Sequence, residues 1–250
     1  MRPLDQNGST SATAITLPPA ATTAVTRVLP AASPEPDKLP WLGAVLLDRN
    51  RVVAVDRYRF AVAEVDVDLP RLLLPAGPLG QAIQAAAERS VELCVVHASA
   101  TAAAADGSRC GLVALPTDRY PPIDQVLSGL RSETSIEVET DALRAALPSF
   151  VRALAPPRRI AQPLVLQPSP DGVTLLAEPL QPETLPARCS GDEPVAVNPR
   201  YLRDLLAGVT SATVCLHVGG GLRPLWTRDN GWLHVLWPCQ LPSTAKAAAT

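Results

Sequence analysis

The sequence predicts an α+β fold made of two copies of one domain, and three observations predict it. The first is a weak internal repeat at a fixed shift. Leu72-Leu73-Leu74-Pro75, a helix-like run to Ala87 and an apolar stretch over 91–95 form one copy of a strand–helix–strand unit. Val195-Ala196-Val197-Asn198, a helix-like run to Ala207 and a stretch over 214–218 form the other. The shift is 198 − 75 = 123 and 214 − 91 = 123, and it also carries Ile15 to Val138, Val53 to Leu176 and Leu112 to Val235. A constant shift marks duplicated units rather than one large fold. The second observation is a smaller pattern: a short strand, a helix, then alternating strands, occurring twice per copy. Each copy is therefore read as two βαβββ halves, with its helices on one face of antiparallel sheets. The third is composition. With 250 residues, 47% hydrophobic and only 4% aromatic, the chain can fill two ordinary cores with Ala, Val and Leu.

The elements follow in order. After a flexible tail over 1–13, the first copy (14–131) starts with a strand at 14–17 and a helix at 19–29. Strands are expected at 43–47, 51–55 and 58–67. A strand at 71–74, a helix at 78–88 and strands at 91–97 and 111–115 complete it. A polar, proline-bearing stretch over 118–132 is expected to join the copies. The second copy (132–242) has a strand at 135–139, a helix at 141–154 and strands at 163–167 and 173–177. It continues with a strand at 195–197, a helix at 199–207 and strands at 212–218, 222–227 and 232–237, before a tail over 243–250. Thr140 or Asp141 is a candidate cap, and Asn198-Pro199 sets a good N-cap before a proline at the first helical position. Val214, Leu216 and Val218 alternate as a strand does. Asp171-Gly172 and Asp229-Asn230-Gly231 are hairpin signals between apolar runs. Pro30 and Pro148 fall late in their helices and are expected to kink or end them.

The formal net charge is −2, and of 22 basic residues only Lys38 and Lys246 are lysines. No basic excess marks the whole chain as a nucleic-acid binder, which leaves a locally basic face open. Five cysteines (Cys94, Cys110, Cys189, Cys215, Cys239) show no CxxC spacing, so a reduced, cytoplasmic setting is expected. The run from Met1 to Ala14 is polar, unlike a signal peptide, and no segment approaches the ~20 apolar residues of a membrane span.

His97, His217 and His234 lie far apart without metal-ligand spacing and are read as structural. No GxSxG, Walker or GxGxxG motif is present, and Gly219-Gly220-Gly221 lies between predicted strands, where it turns a hairpin. No cofactor, metal or catalytic activity is implied.

Three segments carry a more specific signal. They are Leu39-Pro40-Trp41-Leu42-Gly43 with 53–62 (VAVDRYRFAV), Val197-Asn198-Pro199-Arg200-Tyr201-Leu202, and Val235-Leu236-Trp237-Pro238-Cys239-Gln240-Leu241. In this order and spacing they resemble the second and third domains of the bacterial DNA sliding clamp, the β subunit of DNA polymerase III. The resemblance covers about residues 15–242 and leaves the clamp's first domain without a counterpart. It implies two DNA-clamp domains and a non-catalytic processivity factor in DNA replication. Its partners are short linear peptides of polymerases or repair proteins, with no membrane.

The resemblance also implies a peptide pocket. Its floor falls to Leu42, Val55, Phe60, Val235, Leu236 and Pro238, and its rim to Arg57, Arg59, Asn198 and Tyr201. Trp41, Tyr58, Pro224, Trp237, Cys239, Gln240 and Leu241 complete it. The alternative is that Val55 and Phe60 are plain core and the arginines merely solvated. Trp237 and Cys239 stand where the family usually has methionines, and Gln240 where it has an arginine. Trp41 replaces a smaller apolar residue. These changes either alter the pocket's specificity or close it. Hole-lining helices would place Arg27, Arg144, Arg152, Arg200 and Arg203 toward double-stranded DNA, read without sequence preference. The helix at 78–88 has no basic residue, so this lining is thin. Three chains of two domains would restore a six-domain ring. The alternative is a truncated clamp paralogue that acts as an interaction or regulatory module without ring or DNA. In either case the segments 55–60 and 235–241 are expected to be neighbours. Phe60 and Leu236 should be buried, with Arg57 and Tyr58 at a surface turn.

Overall fold

Alternating apolar residues build the sheets, and the helices cover one side of them. The computed structural model describes residues 12–34, 39–86, 90–96, 99–103, 109–112, 114–153 and 163–242. In chain order the elements are β1 (Ala12–Leu17), α1 (Pro19–Val28), β2 (Ala44–Val55), β3 (Arg59–Pro75), α2 (Ala76–Ala86), β4 (Val91–Val96), β5 (Ser99–Ala103), β6 (Arg109–Leu112) and α3 (Ile123–Ser128). They continue with β7 (Thr134–Glu139), α4 (Thr140–Ala153), β8 (Leu164–Ser169), β9 (Gly172–Leu176), β10 (Glu183–Leu185), β11 (Ala187–Ser190), β12 (Val195–Val197), α5 (Pro199–Gly208), β13 (Thr213–Val218), β14 (Leu225–Asp229) and β15 (Trp232–Leu236). Short 3-10 turns occupy Leu29–Ala31 and Pro40–Gly43. Shifting the second half back by 123 residues lays β7 on β1, α4 on α1, α5 on α2, β13 on β4 and β15 on β6, within two residues at each end.

All strand pairs are antiparallel and form three sheets. Two have four strands, in the orders β1-β4-β5-β6 and β10-β9-β8-β12. The third has seven, in the order β11-β7-β13-β14-β15-β3-β2, and draws on both halves of the chain. The halves meet where β15 pairs with β3: Trp232 opposite Ala63, Val235 opposite Phe60, Leu236 opposite Arg59.

The helices sit side by side in the order α2, α1, α5, α4. Each is amphipathic at helical spacing. In α4, Leu143, Ala146, Leu147 and Phe150 are buried, and in α5, Leu202, Leu205 and Leu206. Each such Leu or Phe contributes about 1.5–3 kcal/mol on burial. On β7, Thr134, Ile136 and Val138 point inward while Glu137 and Glu139 face solvent, the two-residue period of a half-buried strand. Asn198 caps α5: its side-chain oxygen accepts the N–H of Arg200 at 3.0 Å, and Pro199 follows at the first position.

Several expected boundaries are corrected. The strands expected at 43–47 and 51–55 are one strand, β2, with register irregularities between Leu47 and Arg51, and those at 58–67 and 71–74 are one strand, β3. Asp48, Arg49 and Asn50 read as a break, and the register shifts fall there, but Asp48 is buried and ion-paired with Arg51 and Arg71 and the strand continues past it. The stretch 118–132, expected as a plain connection, contains α3. Its Ile123, Val126 and Leu127 repeat at i, i+3, i+4 and pack against the sheet. Strands β5, β10 and β11 had no expected counterpart, and the strand expected at 222–227 begins at Leu225, after a turn. Thr140 does not cap α4 with its oxygen lone pair; its hydroxyl donates to the Ser211 carbonyl. Pro148 remains inside α4, and Pro30 lies in the 3-10 turn after α1. Of the expected tails, only Ala12 and Thr13 are among the described residues, and they begin β1; His97 lies outside them.

Candidate functional site

The turn between β2 and β3 is shaped by one carboxylate. Asp56 Oδ1 accepts the N–H groups of Tyr58 (2.7 Å) and Arg59 (2.9 Å), and the Asp56 N–H donates to the Arg59 carbonyl (3.0 Å). An Asx turn of this kind fixes the tip and directs Arg57 and Tyr58 outward. Both are exposed, Tyr58 by 54%. Phe60 and Val55, two steps inward, are buried.

The chain beyond β15 lies against this tip. The Trp237 N–H donates to the Tyr58 carbonyl at 2.8 Å, and the Cys239 N–H to the Ala196 carbonyl at 2.7 Å. These two bonds lay 237–239 between the β2–β3 turn and β12. Trp237 remains 37% exposed beside Tyr58, so its ring is not absorbed into the core. Tyr201, on the flank of α5, stacks on Tyr58 with ring centroids 6.3 Å apart.

Beneath the aromatics, Val55, Phe60, Val62, Leu42, Leu233 and Val235 form one apolar cluster, with Trp41 and Trp226 partly buried against it. Val165 and Ala196 form a second, smaller one, against which Cys239 and Leu241 pack. Burial raises the Cys239 thiol above its ordinary pKa. Pro238 is half-buried and Gln240 exposed. Pro224, half-buried, immediately precedes the Leu225–Leu236 pair and so lies level with Trp237 in register.

Three floor and rim expectations change. Leu236 is buried as expected, but in the main core beneath the helices. Successive strand residues face opposite sides, so Val235 and Leu236 cannot line the same floor. Arg59 is not a rim residue. It is 5% exposed, donates to Asp56 Oδ2 (2.8 Å) and Asp204 Oδ2 (2.6 Å), and lies 4.3 Å from the Tyr201 ring centroid. Arg59 thus supports Tyr201 from below. Asn198 caps its helix rather than standing free at a rim.

Sequence reasoning missed Tyr120, Ile123 and Asp204. Tyr120 and Ile123 enter the larger cluster from the connecting stretch, and the Tyr120 hydroxyl donates to the Val53 carbonyl at 3.2 Å. The legible signal was the apolar spacing of α3. For Asp204 the signal was weaker: it follows Tyr201 by one helical step.

The five arginines assigned to a DNA-facing surface separate. Arg27 donates to the Gly208 carbonyl (3.0 and 2.7 Å), to the Asp229 carbonyl (3.2 Å) and to Asp229 Oδ2 (3.1 Å), and lies over the Trp232 ring. Arg144 donates to the Leu206 (2.7 Å) and Val209 (2.6 Å) carbonyls and to Asp141. Two arginines from flanking helices therefore satisfy the last carbonyls of α5, where a cation is favoured. They brace the helix layer. Arg203 is exposed and paired with Asp204, while Arg152 and Arg200 are exposed.

Asp229 accepts from the Thr210 N–H and hydroxyl, from Ser211 and from Arg27. Burial raises its pKa, but the bonds from Ser211 and Thr210 and the Arg27 charge outweigh this and hold the carboxyl below its usual range. His234 is fully buried edge-on to Trp232, with no hydrogen-bond partner for either ring nitrogen among the described residues. Burial first, then Arg59, pushes its pKa down to about 3, so it is neutral. Half-buried His217 stacks on Trp226 with centroids 4.0 Å apart and contacts Ser132 and Cys215. Burial lowers its pKa, against the pull of Glu137. Among the described residues no group of three His, Cys, Asp or Glu is placed to hold a metal, and no helix is long and apolar enough to cross a membrane. A groove of ≈ 730 Å³ between α1 and α2 shares only Arg27 with the residues singled out from the sequence.

These features define a class, the DNA-clamp fold: antiparallel sheets joined across the two halves, with a helix layer on one side. Particular solved clamps share it. The chain is similar to DNA polymerase III subunit beta from Borrelia burgdorferi, solved in complex with a natural product, with 14% identity and a TM-score of 0.80 over 96% of this chain and 67% of that one. It is similar to the same subunit from Pseudomonas aeruginosa (17%, TM-score 0.78, 96% and 69%) and to the DNA polymerase sliding clamp from Bacillus subtilis (18%, TM-score 0.75, 96% and 67%). No family model and no curated protein matches the chain. At these identities the likeness shows the fold.

Proposed function

We propose that the protein is a non-catalytic, clamp-fold recruiting module of two clamp-like units, residues 14–131 and 132–242. It holds short linear peptides of DNA polymerases or repair proteins on the surface around Tyr58, Tyr201 and Trp237, in a cytoplasmic setting. One observation carries this reading: the Trp237–Tyr58 main-chain bond joins two exposed aromatic residues next to a buried apolar cluster, although 237 − 58 = 179 residues separate them. Exposed aromatics anchored on a rigid main-chain frame suit leucine or phenylalanine side chains of an extended peptide. The reading in which an oligomer encircles duplex DNA has less support, because Arg27 and Arg144 are held by α5 carbonyls. That leaves Arg152, Arg200 and Arg203 to meet phosphates.

The test is a fluorescence titration with a synthetic clamp-binding peptide bearing Leu and Phe anchors. The Trp237 emission is expected to shift on binding. Tyr58→Ala is expected to weaken binding about tenfold, a loss near 1.4 kcal/mol, without lowering the melting temperature. Saturating peptide that changes neither the emission nor any measured heat would sink the proposal.

A further inference from the structure

The internal junction between β15 and β3 is a template for contacts between copies of the chain. The main-chain groups of Phe60, Val62 and Glu64 in β3, and of Tyr58 just before it, face β15 and its continuation. The Trp237 N–H reaches the Tyr58 carbonyl and the Glu64 N–H the Gly231 carbonyl, with the Val235–Phe60 and Leu233–Val62 pairs between them. Because the chain is a repeat, a second molecule could extend the pattern. Among the described residues, the unpaired edge corresponding to β15 is β6, and the unpaired edge corresponding to the start of β3 is β10. Such a contact is head-to-tail, so it would propagate into a ring or a filament.

Hydrogen-bond parity shows which groups β10 offers. The Ala196 carbonyl bonds outward to Cys239, so Val195 and Val197 bond to β8 through their partners Leu166 and Leu164. Val165, Gln167 and Ser169 must then bond to β9 at Leu176, Thr174 and Gly172. Val173 and Leu175 therefore face β10, at Leu185 and Glu183. The outward position within β10 is Thr184, and the same parity continues to the residues on either side of the strand, Pro182 and Pro186. In the internal junction the positions that face the partner strand, Phe60, Val62 and Glu64, each carry an N–H. At the β10 edge two of the three outward positions are prolines, which have no N–H. Prolines on a short edge strand block pairing with another chain.

We infer that Pro182 and Pro186 seal the β10 edge, so that the chain does not repeat its internal junction between molecules and stands as a single two-unit body. One sealed edge suffices, because a head-to-tail contact needs both edges. The inference does not depend on the peptide surface.

Light scattering after size exclusion, at rising concentration, tests it together with amide exchange at Thr184. The natural chain is expected at 26.3 kDa throughout, with the Thr184 amide exchanging within about tenfold of an unstructured peptide. A Pro182→Val/Pro186→Val variant is expected to associate as concentration rises and to protect Thr184. Strong protection of Thr184 in the natural chain overturns the inference, and this readout needs no variant to fold. A folded double variant that stays at the single-chain mass overturns it as well.

Discussion

Replacing Arg27 by alanine separates bracing from DNA contact. The guanidinium joins α1 to the end of α5 and to the β14–β15 turn through the Gly208 and Asp229 carbonyls and the Asp229 carboxylate. Hydrogen bonds to charged groups contribute about 1.5–3 kcal/mol each. The sum is reduced here, because Arg27 is only half-buried and water can reach part of what it leaves. Asp229 also keeps Thr210 and Ser211 as partners. A net loss of about 2–3 kcal/mol is expected, which lowers the melting temperature of a chain this size by about 5–10 °C. Arg152→Ala is the control: an exposed arginine should change stability by less than about 0.5 kcal/mol. Thermal unfolding followed by circular dichroism, with binding to nonspecific duplex DNA at low salt, reads both roles. If Arg27→Ala melts with the natural protein while losing duplex affinity, the bracing argument is refuted.

Two further outcomes follow from buried groups. His234 has a folded pKa of about 3, below its unfolded value, so the unfolded chain binds the extra proton. Stability should fall as pH drops from about 6.5 toward 3, at up to about 1.4 kcal/mol per unit, and His234→Leu should flatten that slope in urea titrations. Asp229, held low, adds its own loss only once pH falls below about 4. Gly208→Ala should destabilise by about 1–3 kcal/mol despite the better helix propensity of alanine, because a Cβ there would overlap the Trp232 ring. The urea midpoint should fall with an unchanged m value; a rise would show that the Trp232 ring moves aside.

Local chemistry made much of the fold legible in the chain. Asn198-Pro199 specifies a helix start wherever it occurs, and the alternation of Val214, Leu216 and Val218 specifies a strand. The 123-residue shift survives in the observed elements because each copy must fill the same core. The adjacency of 55–60 and 235–241 was also readable, through the resemblance of ordered motifs. Short elements were harder to read. The three-residue β10 and β12 carry too few positions for a period to show, and only β12 was found, because a helix cap follows it.

Side-chain roles were settled in three dimensions. Arg59 and Arg57 are equivalent in composition, yet one is buried between Asp56 and Asp204 and the other is exposed; residue 204 is distant in sequence from both. Arg27 and Arg144 read as free cations on helix faces, and only the packing of three helices brings them to the carbonyls that end α5. Leu236 and Val235 read alike as floor until the register with β3 assigned them opposite faces. The sequence by itself determined most of the longer strands and helices, because backbone preference and burial period are local properties. Only the tertiary structure decided which charges are free, which edge is sealed and which aromatics remain exposed, because each depends on a partner brought from elsewhere in the chain.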